Sequence, residues 1–127
     1  MSEINDSAVI AALRRQMTVS VARQVAAAGN LANIDTPGYR AKEATFDETL
    51  SRHIPAAKTG NAAQIEGTGA QPAIQEIQGL PARRDGNNVQ LDRELLNIGR
   101  AAGDFSAAQT ALAAKFRLVR YAINEGK

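Results

Sequence analysis

Between Leu91 and Ile123 the positions Leu91, Leu95, Ile98, Ala102, Phe105, Gln109, Leu112, Phe116, Val119 and Ile123 alternate steps of four and three residues, with Gln109 the one polar member. Such spacing keeps one stripe of an α-helix turned toward a partner helix, so the stretch predicts a long helix with a coiled-coil seam. Asp92 can cap its start with Glu94 close behind, and Val89 and Leu91 alternate with polar neighbours as a short extended lead-in. From Asp92 to Asn124 the helix would run about 50 Å at roughly 1.5 Å per residue. Gly99 and Gly103 lie one turn apart inside it, each costing about 1 kcal/mol against Ala. They are either tolerated weak spots or the place of a bend or close crossing, which makes them candidate subunit contacts.

A thinner stripe occupies the other end of the chain. Asp6 or Ser7 can cap a helix, and Ile10, Leu13, Met17, Val21, Val25, Ala28 and Leu31 follow at steps of three or four, giving an amphipathic helix from about Asp6 to Ile34. Alanines fill much of its second half, so a partner helix can approach closely while burial contributes little. The predicted fold class is all-α. Residues 1–35 and 89–127 together form one discontinuous helical coiled-coil domain, in which Leu95, Ile98, Phe105, Leu112, Phe116, Val119 and Ile123 pack against Ile10, Leu13, Met17, Val21, Val25 and Leu31. Gln24 and Gln109 either set register where the seams meet or sit at their edge.

Residues 36–88 read as a turn followed by a flexible middle segment. Pro55, Pro72 and Pro81 and five glycines from Gly60 to Gly86 punctuate it, and its large apolar residues are few. Thr45 to His53 fits a short helix with Phe46, Leu50 and Ile54 on one face. Ala56 to Gln71 reads as a flexible loop, and Ile74, Ile77 and Leu80 are expected to dock on the rest.

The composition excludes several function classes. Within 127 residues aromatics are 4% and Trp is absent, so an isolated subunit has few side chains that bury large area and should be marginally stable. With no Cys there is neither a disulfide framework nor a thiolate nucleophile. The formal charge of +2 comes from interspersed residues; Arg14-Arg15 and Arg83-Arg84 are isolated doublets, so no nucleic-acid partner is predicted. His53 is the single His, Asp47 and Glu48 are adjacent in sequence, and Gly67-Thr68-Gly69 lacks the rest of a phosphate-binding pattern. No enzyme activity, cofactor or metal site is predicted. The N-terminus carries neither a basic nor an apolar signal region, and no run reaches membrane-spanning length.

Where the first helix stops, Pro37 disfavours helix at Thr36, and Pro37-Gly38 fits the centre of a type II turn with positive φ at Gly38. Asn30 and Asn33 lie in the last turn, able to engage free carbonyls or a neighbouring subunit, and Tyr39 offers an amphipathic anchor. The string Asn30-Leu31-Ala32-Asn33-Ile34-Asp35-Thr36-Pro37-Gly38-Tyr39-Arg40 closely resembles the signature of the bacterial flagellar rod and hook family. Three further features resemble the family's proximal rod members: the short length, Arg40-Ala41-Lys42 leading to Phe46, and the stretch Asp85 to Glu94 before the last helix. The ending Lys115 to Ile123 is also similar. Phe105 and Ala101 depart from the Tyr and Asn that the family often carries.

The resemblance implies paired terminal helices lining the inner part of a tubular rod, with the Pro-Gly turn and middle segment further out. It implies a periplasmic basal-body location reached through the flagellar type III export apparatus without a cleaved signal peptide. The implied partners are other copies of the chain, other rod proteins and the adaptor at the membrane-ring junction. Two alternatives use the same amphipathic helices: a small secreted helical-hairpin dimer, or a coiled-coil adaptor. Neither accounts for Thr36-Pro37-Gly38-Tyr39 and its preceding asparagines.

Overall fold

The computed structural model describes residues 6–46 and 72–124. Two long helices, α1 (Asp6–Ala32) and α2 (Leu91–Asn124), enclose in sequence two short strands, β1 (Lys42–Thr45) and β2 (Ala73–Glu76). Asn30 of α1 meets Glu94 at the start of α2, while Asp6 pairs with Lys115 near its end, so the helices run antiparallel along one another. The helices form within a residue or two of the predicted bounds, because Pro37 ends one and the extended Gln90 precedes the other. The short helix expected from Thr45 to His53 gives way at its first residue, since Thr45 ends β1. Its remainder and the loop expected over Ala56 to Gln71 lie outside the described residues.

The face each helix turns to the other is made of small and polar residues. α1 buries Val19, Ser20, Ala27 and Asn30, and α2 buries Glu94, Ala101 and Ala108, the last three two turns apart. The predicted apolar stripes lie to one side of this interface. Ile10, Leu13, Met17, Leu31, Ile98, Phe105, Leu112 and Val119 are half-buried along its margin. Val21, Val25, Leu95, Phe116 and Ile123 are exposed, Val25 at 65% and Ile123 at 73%, a correction to their expected place in the chain's own seam. The physical reason is size: alanine and serine let the helix backbones approach, and the larger apolar residues are left at the rim and outside. Gln24 is half-buried, whereas Gln109 is exposed. A Cβ added at Gly99 or Gly103 would meet nothing within 4 Å among the described residues, so no close crossing between these residues uses the two glycines.

The fold is mostly helical, and the two-stranded sheet is an element that the all-α expectation did not contain. β1 and β2 pair antiparallel, Lys42 opposite Glu76 and Thr45 opposite Ala73, and the ladder continues through Ile77 N–H to Ala41 O at 2.9 Å. Beneath it Ala41, Ile77 and Val89 form a small buried cluster, flanked by Ile34, Tyr39 and Leu80. Ile77 and Leu80 thus dock as expected. Ile74 does not: it is 54% exposed, because strand alternation turns it to the opposite face from Ile77.

Candidate functional site

The turn after α1 forms as its sequence dictates. Tyr39 N–H donates to Thr36 O at 3.2 Å, and Gly38 takes φ 74°, the left-handed conformation that the third position of a type II turn requires. Asn33 Nδ2 donates to Gly29 O at 2.8 Å, closing one orphan carbonyl of the helix end, and Thr36 Oγ1 donates back to Asn33 Oδ1 at 3.2 Å. A second turn, Arg83 to Gly86, carries its own left-handed glycine: Gly86 N–H donates to Arg83 O at 2.9 Å with φ 84°.

These turns lie far apart in sequence and against each other in space. Gly38 N–H donates to Asp85 O at 2.8 Å, and a Cβ on Gly86 would stand 3.4 Å from Gly38 Cα. Asn87, fully buried, joins them. Its Nδ2 donates to the carbonyls of Asn33, Ile34 and Thr36 at 2.9, 3.0 and 2.9 Å, while its Oδ1 accepts from Val89 N–H at 2.8 Å. One side chain therefore gathers three carbonyls of the turn that follows α1 and fixes the lead-in to α2. Arg83 Nη2 also donates to Ile34 O, and Asn88 Oδ1 accepts from Ala41 N–H at 2.6 Å.

Asn30 completes the arrangement from the helix side. Its amide grips both main-chain groups of Lys42: Nδ2 donates to Lys42 O at 2.8 Å, and Oδ1 accepts from Lys42 N–H at 2.9 Å, as a neighbouring strand would. The remaining Nδ2 hydrogen goes to Glu94 Oε2 at 3.1 Å, and Tyr39 OH donates to Oδ1 at 3.2 Å. Both donors and both acceptor positions of this 0%-exposed amide are used. At the rim, Arg93 stands 3.9 Å from Glu43, and the Lys42 ammonium lies 5.8 Å from the Tyr39 ring centre.

The predicted Asn30, Asn33, Thr36, Pro37, Gly38 and Tyr39 thus converge, but Asn30 binds β1 and α2, and it is Asn33 that closes a carbonyl of α1 while Asn87 gathers those of the turn. Sequence reasoning passed over Asn87, Asn88 and Glu94 as individual site residues. An Asn doublet between a glycine turn and a helix start was the available signal, since short amide side chains characteristically bond nearby main chain. Nothing in the constellation pairs a nucleophile with a base. It is a network of buried amides, joined by the Glu94 carboxylate and the Arg83 guanidinium, at the place where two helices and a small sheet meet.

Two proteins share similarity with this chain over much of its length. It is 26% identical over 125 residues to the flagellar basal body rod protein FlgB of Bacillus subtilis (strain 168), covering 95% of this chain and 97% of that one. It is 32% identical over 97 residues to the flagellar basal body rod protein FlgB of Borrelia hermsii, covering 66% of this chain and 72% of the relative. No protein-family model matches the chain.

Proposed function

The chain belongs to the FlgB family of flagellar basal body rod proteins, and from that premise we propose that it is a structural subunit of the proximal rod, transmitting torque from the membrane ring to the axial structure beyond. The observation that carries this reading is the apolar surface left uncovered by the chain's own fold. Val21 and Val25 on α1, and Leu95, Leu96, Phe116, Leu118, Tyr121 and Ile123 on α2, are exposed. Two helices whose mutual face is small and polar, with larger apolar residues outside, are built to be completed by neighbours. In the assembled rod the outer stripes supply the coiled-coil packing that the periodicity announces, with Gln24, Gln109, Gly99 and Gly103 at or near subunit contacts.

The partners on this reading are further copies of the chain, other rod proteins, and the adaptor joining the rod to the membrane ring. Delivery would be through the flagellar type III export apparatus without a cleaved signal peptide, to a periplasmic position. A subunit with little burial of its own is suited to passage in an unfolded state. No helix among the described residues is long and apolar enough to cross a membrane. The test is electron microscopy of basal bodies from a strain lacking the gene, with the intact copy restored as control. Membrane rings without a rod are expected. Complete rods and filaments would discard the assignment.

A further inference from the structure

The outer surface of α2 carries a seam of its own. Leu95, Ala102, Gln109 and Phe116 lie seven residues apart and are all exposed. Gly99, Ser106 and Ala113, also exposed, fall between them, so the face advances by alternating steps of four and three. That spacing holds one helix against another for about 30 Å. No charge interrupts it between Leu95 and Phe116, whereas the neighbouring row from Leu96 through Gly103 and Thr110 ends on Arg117. At Gly99 the seam has a hollow, since a Cβ there would meet nothing within 4 Å among the described residues, and at Phe116 it has a projection, 44% exposed.

Taken from its two ends, this seam is complementary to itself. When two copies of α2 run antiparallel, Gly99 receives Phe116 of the second copy, Ala102 meets Ala113 and Ser106 meets Gln109, and each layer recurs across the two-fold axis. A parallel pair in register would set Phe116 on Phe116 and leave Gly99 facing Gly99. Charge selects the same direction. Asp92, before the seam, and Arg120, after it, are exposed, and neither forms an ion pair among the described residues. In the antiparallel pair the Arg120 stem lies across Leu95 of the second copy and its guanidinium is one turn from that copy's Asp92; the parallel pair sets Arg120 against Arg120. We propose that the free chain forms an antiparallel homodimer through this face of α2, with Gly99–Phe116 layers interlocking inside it and Asp92–Arg120 pairs at its ends. The contact is isologous, so it closes at two copies and cannot extend into a tube. It is a state of the subunit before assembly, one that covers Phe116, and it does not depend on the rod reading. One helix face of mostly small residues makes a small interface, so the pair is weak: it forms at high subunit concentration and leaves the dilute chain monomeric.

Because the chain contains no Cys, introduced thiols are unique. Full-length chains carrying Ala102→Cys or Ala113→Cys, two exposed positions that the antiparallel layers bring together, are purified separately, mixed at high concentration and oxidised mildly. Within one chain these positions are about 16 Å apart along the helix, beyond disulfide reach. The expected product is a mixed dimer of the two variants in several-fold excess over dimers of either alone. Dimers of one variant in equal or larger amount, or a chain that stays monomeric at high concentration in sedimentation equilibrium, overturn the proposal. Gly99→Leu fills the hollow and should lower the mixed-dimer yield several-fold, even though the helix itself gains by losing a glycine. An unchanged yield overturns the Gly99–Phe116 layer. Asp92→Arg should also lower the yield, and combining it with Arg120→Asp should restore it; no recovery overturns the role given to the end pairs. All of these readings are made on the free chain, so none of them bears on the basal-body test of the rod reading.

Discussion

Asn30 and Glu94, 64 residues apart in sequence, share a buried hydrogen bond of 3.1 Å at the point where α1 ends and α2 begins. Asn30 also holds both main-chain groups of Lys42, so one amide sets the position of β1 against both helices. Backbone groups at such a junction have no regular ladder to satisfy them, and leaving them buried without partners would cost more than the bonds contribute.

Asn30→Asp is the sharpest probe of that junction. The substitution keeps size and shape but removes both donor hydrogens, setting a second carboxylate against Glu94 Oε2 and Lys42 O. We expect a loss of about 3 kcal/mol in urea unfolding of the isolated chain, from two broken donor bonds and like-charge repulsion in a buried site. Asn30→Ala should cost somewhat less, because it introduces no charge. If Asn30→Asp unfolds at the wild-type midpoint, the amide network is not what holds the helix ends together.

Asn87 predicts a different signature. Asn87→Ala strips three carbonyls of their shared donor and Val89 N–H of its acceptor, and should cost about 2 kcal/mol. The loss should be local first. Hydrogen exchange at the Gly38 amide, bonded to Asp85 O across the two turns, is expected to accelerate more than exchange in the middle of α1. Equal acceleration at both sites would show that Asn87 supports the whole fold evenly.

Gly38 separates conformation from contact. Among the described residues a Cβ at this position would meet nothing within 4 Å, so the cost of Gly38→Ala is expected to come from its φ of 74°. That cost is about 1–2 kcal/mol for an ordinary L-residue, and less for Asn, which tolerates the left-handed region. Thermal unfolding should therefore rank Gly38 above Gly38→Asn above Gly38→Ala. The reverse order of the two variants would place the effect elsewhere.

The helices and the Pro37-Gly38 turn were legible in the sequence because each rests on local chemistry: a cap, a period, a proline, a positive φ. The inner helix face was not. Ala27, Ala101, Ala108 and Ser20 carry too little hydrophobic contrast to mark a stripe, so the larger residues beside them stood out in their place. Glu94 escaped for a related reason, since a charged side chain reads as solvent-facing until its partner is known, and Asn30, placed by sequence at the helix end, was not expected to bond β1 and Glu94. The strands were hidden because Lys42–Thr45 and Ala73–Glu76 are short and largely exposed, and no close turn joins them. The signature asparagines were recognisable as a pattern, but that Asn87 belongs with them is a fact of tertiary contact.

The outer apolar stripes give the prediction that bears most directly on assembly. Val25 and Phe116 are exposed in the chain's own fold, so Val25→Asp and Phe116→Asp place their charges in water and should shift the stability of the isolated chain by no more than about 0.5 kcal/mol. If neighbours cover these positions in the rod, the same charges become buried and unpaired on assembly, at a cost of several kcal/mol per site. Both variants should therefore fold normally, yet be missing from purified basal bodies and fail to restore swimming. Leu112, half-buried at the margin of the helix interface, should behave differently: Leu112→Asp is expected to weaken the isolated chain and also to block incorporation. Urea midpoints measured beside basal-body occupancy separate the two effects. Normal motility in Val25→Asp and Phe116→Asp would mean that the outer stripes stay in solvent, and the packing assigned to them in the rod would have to be abandoned.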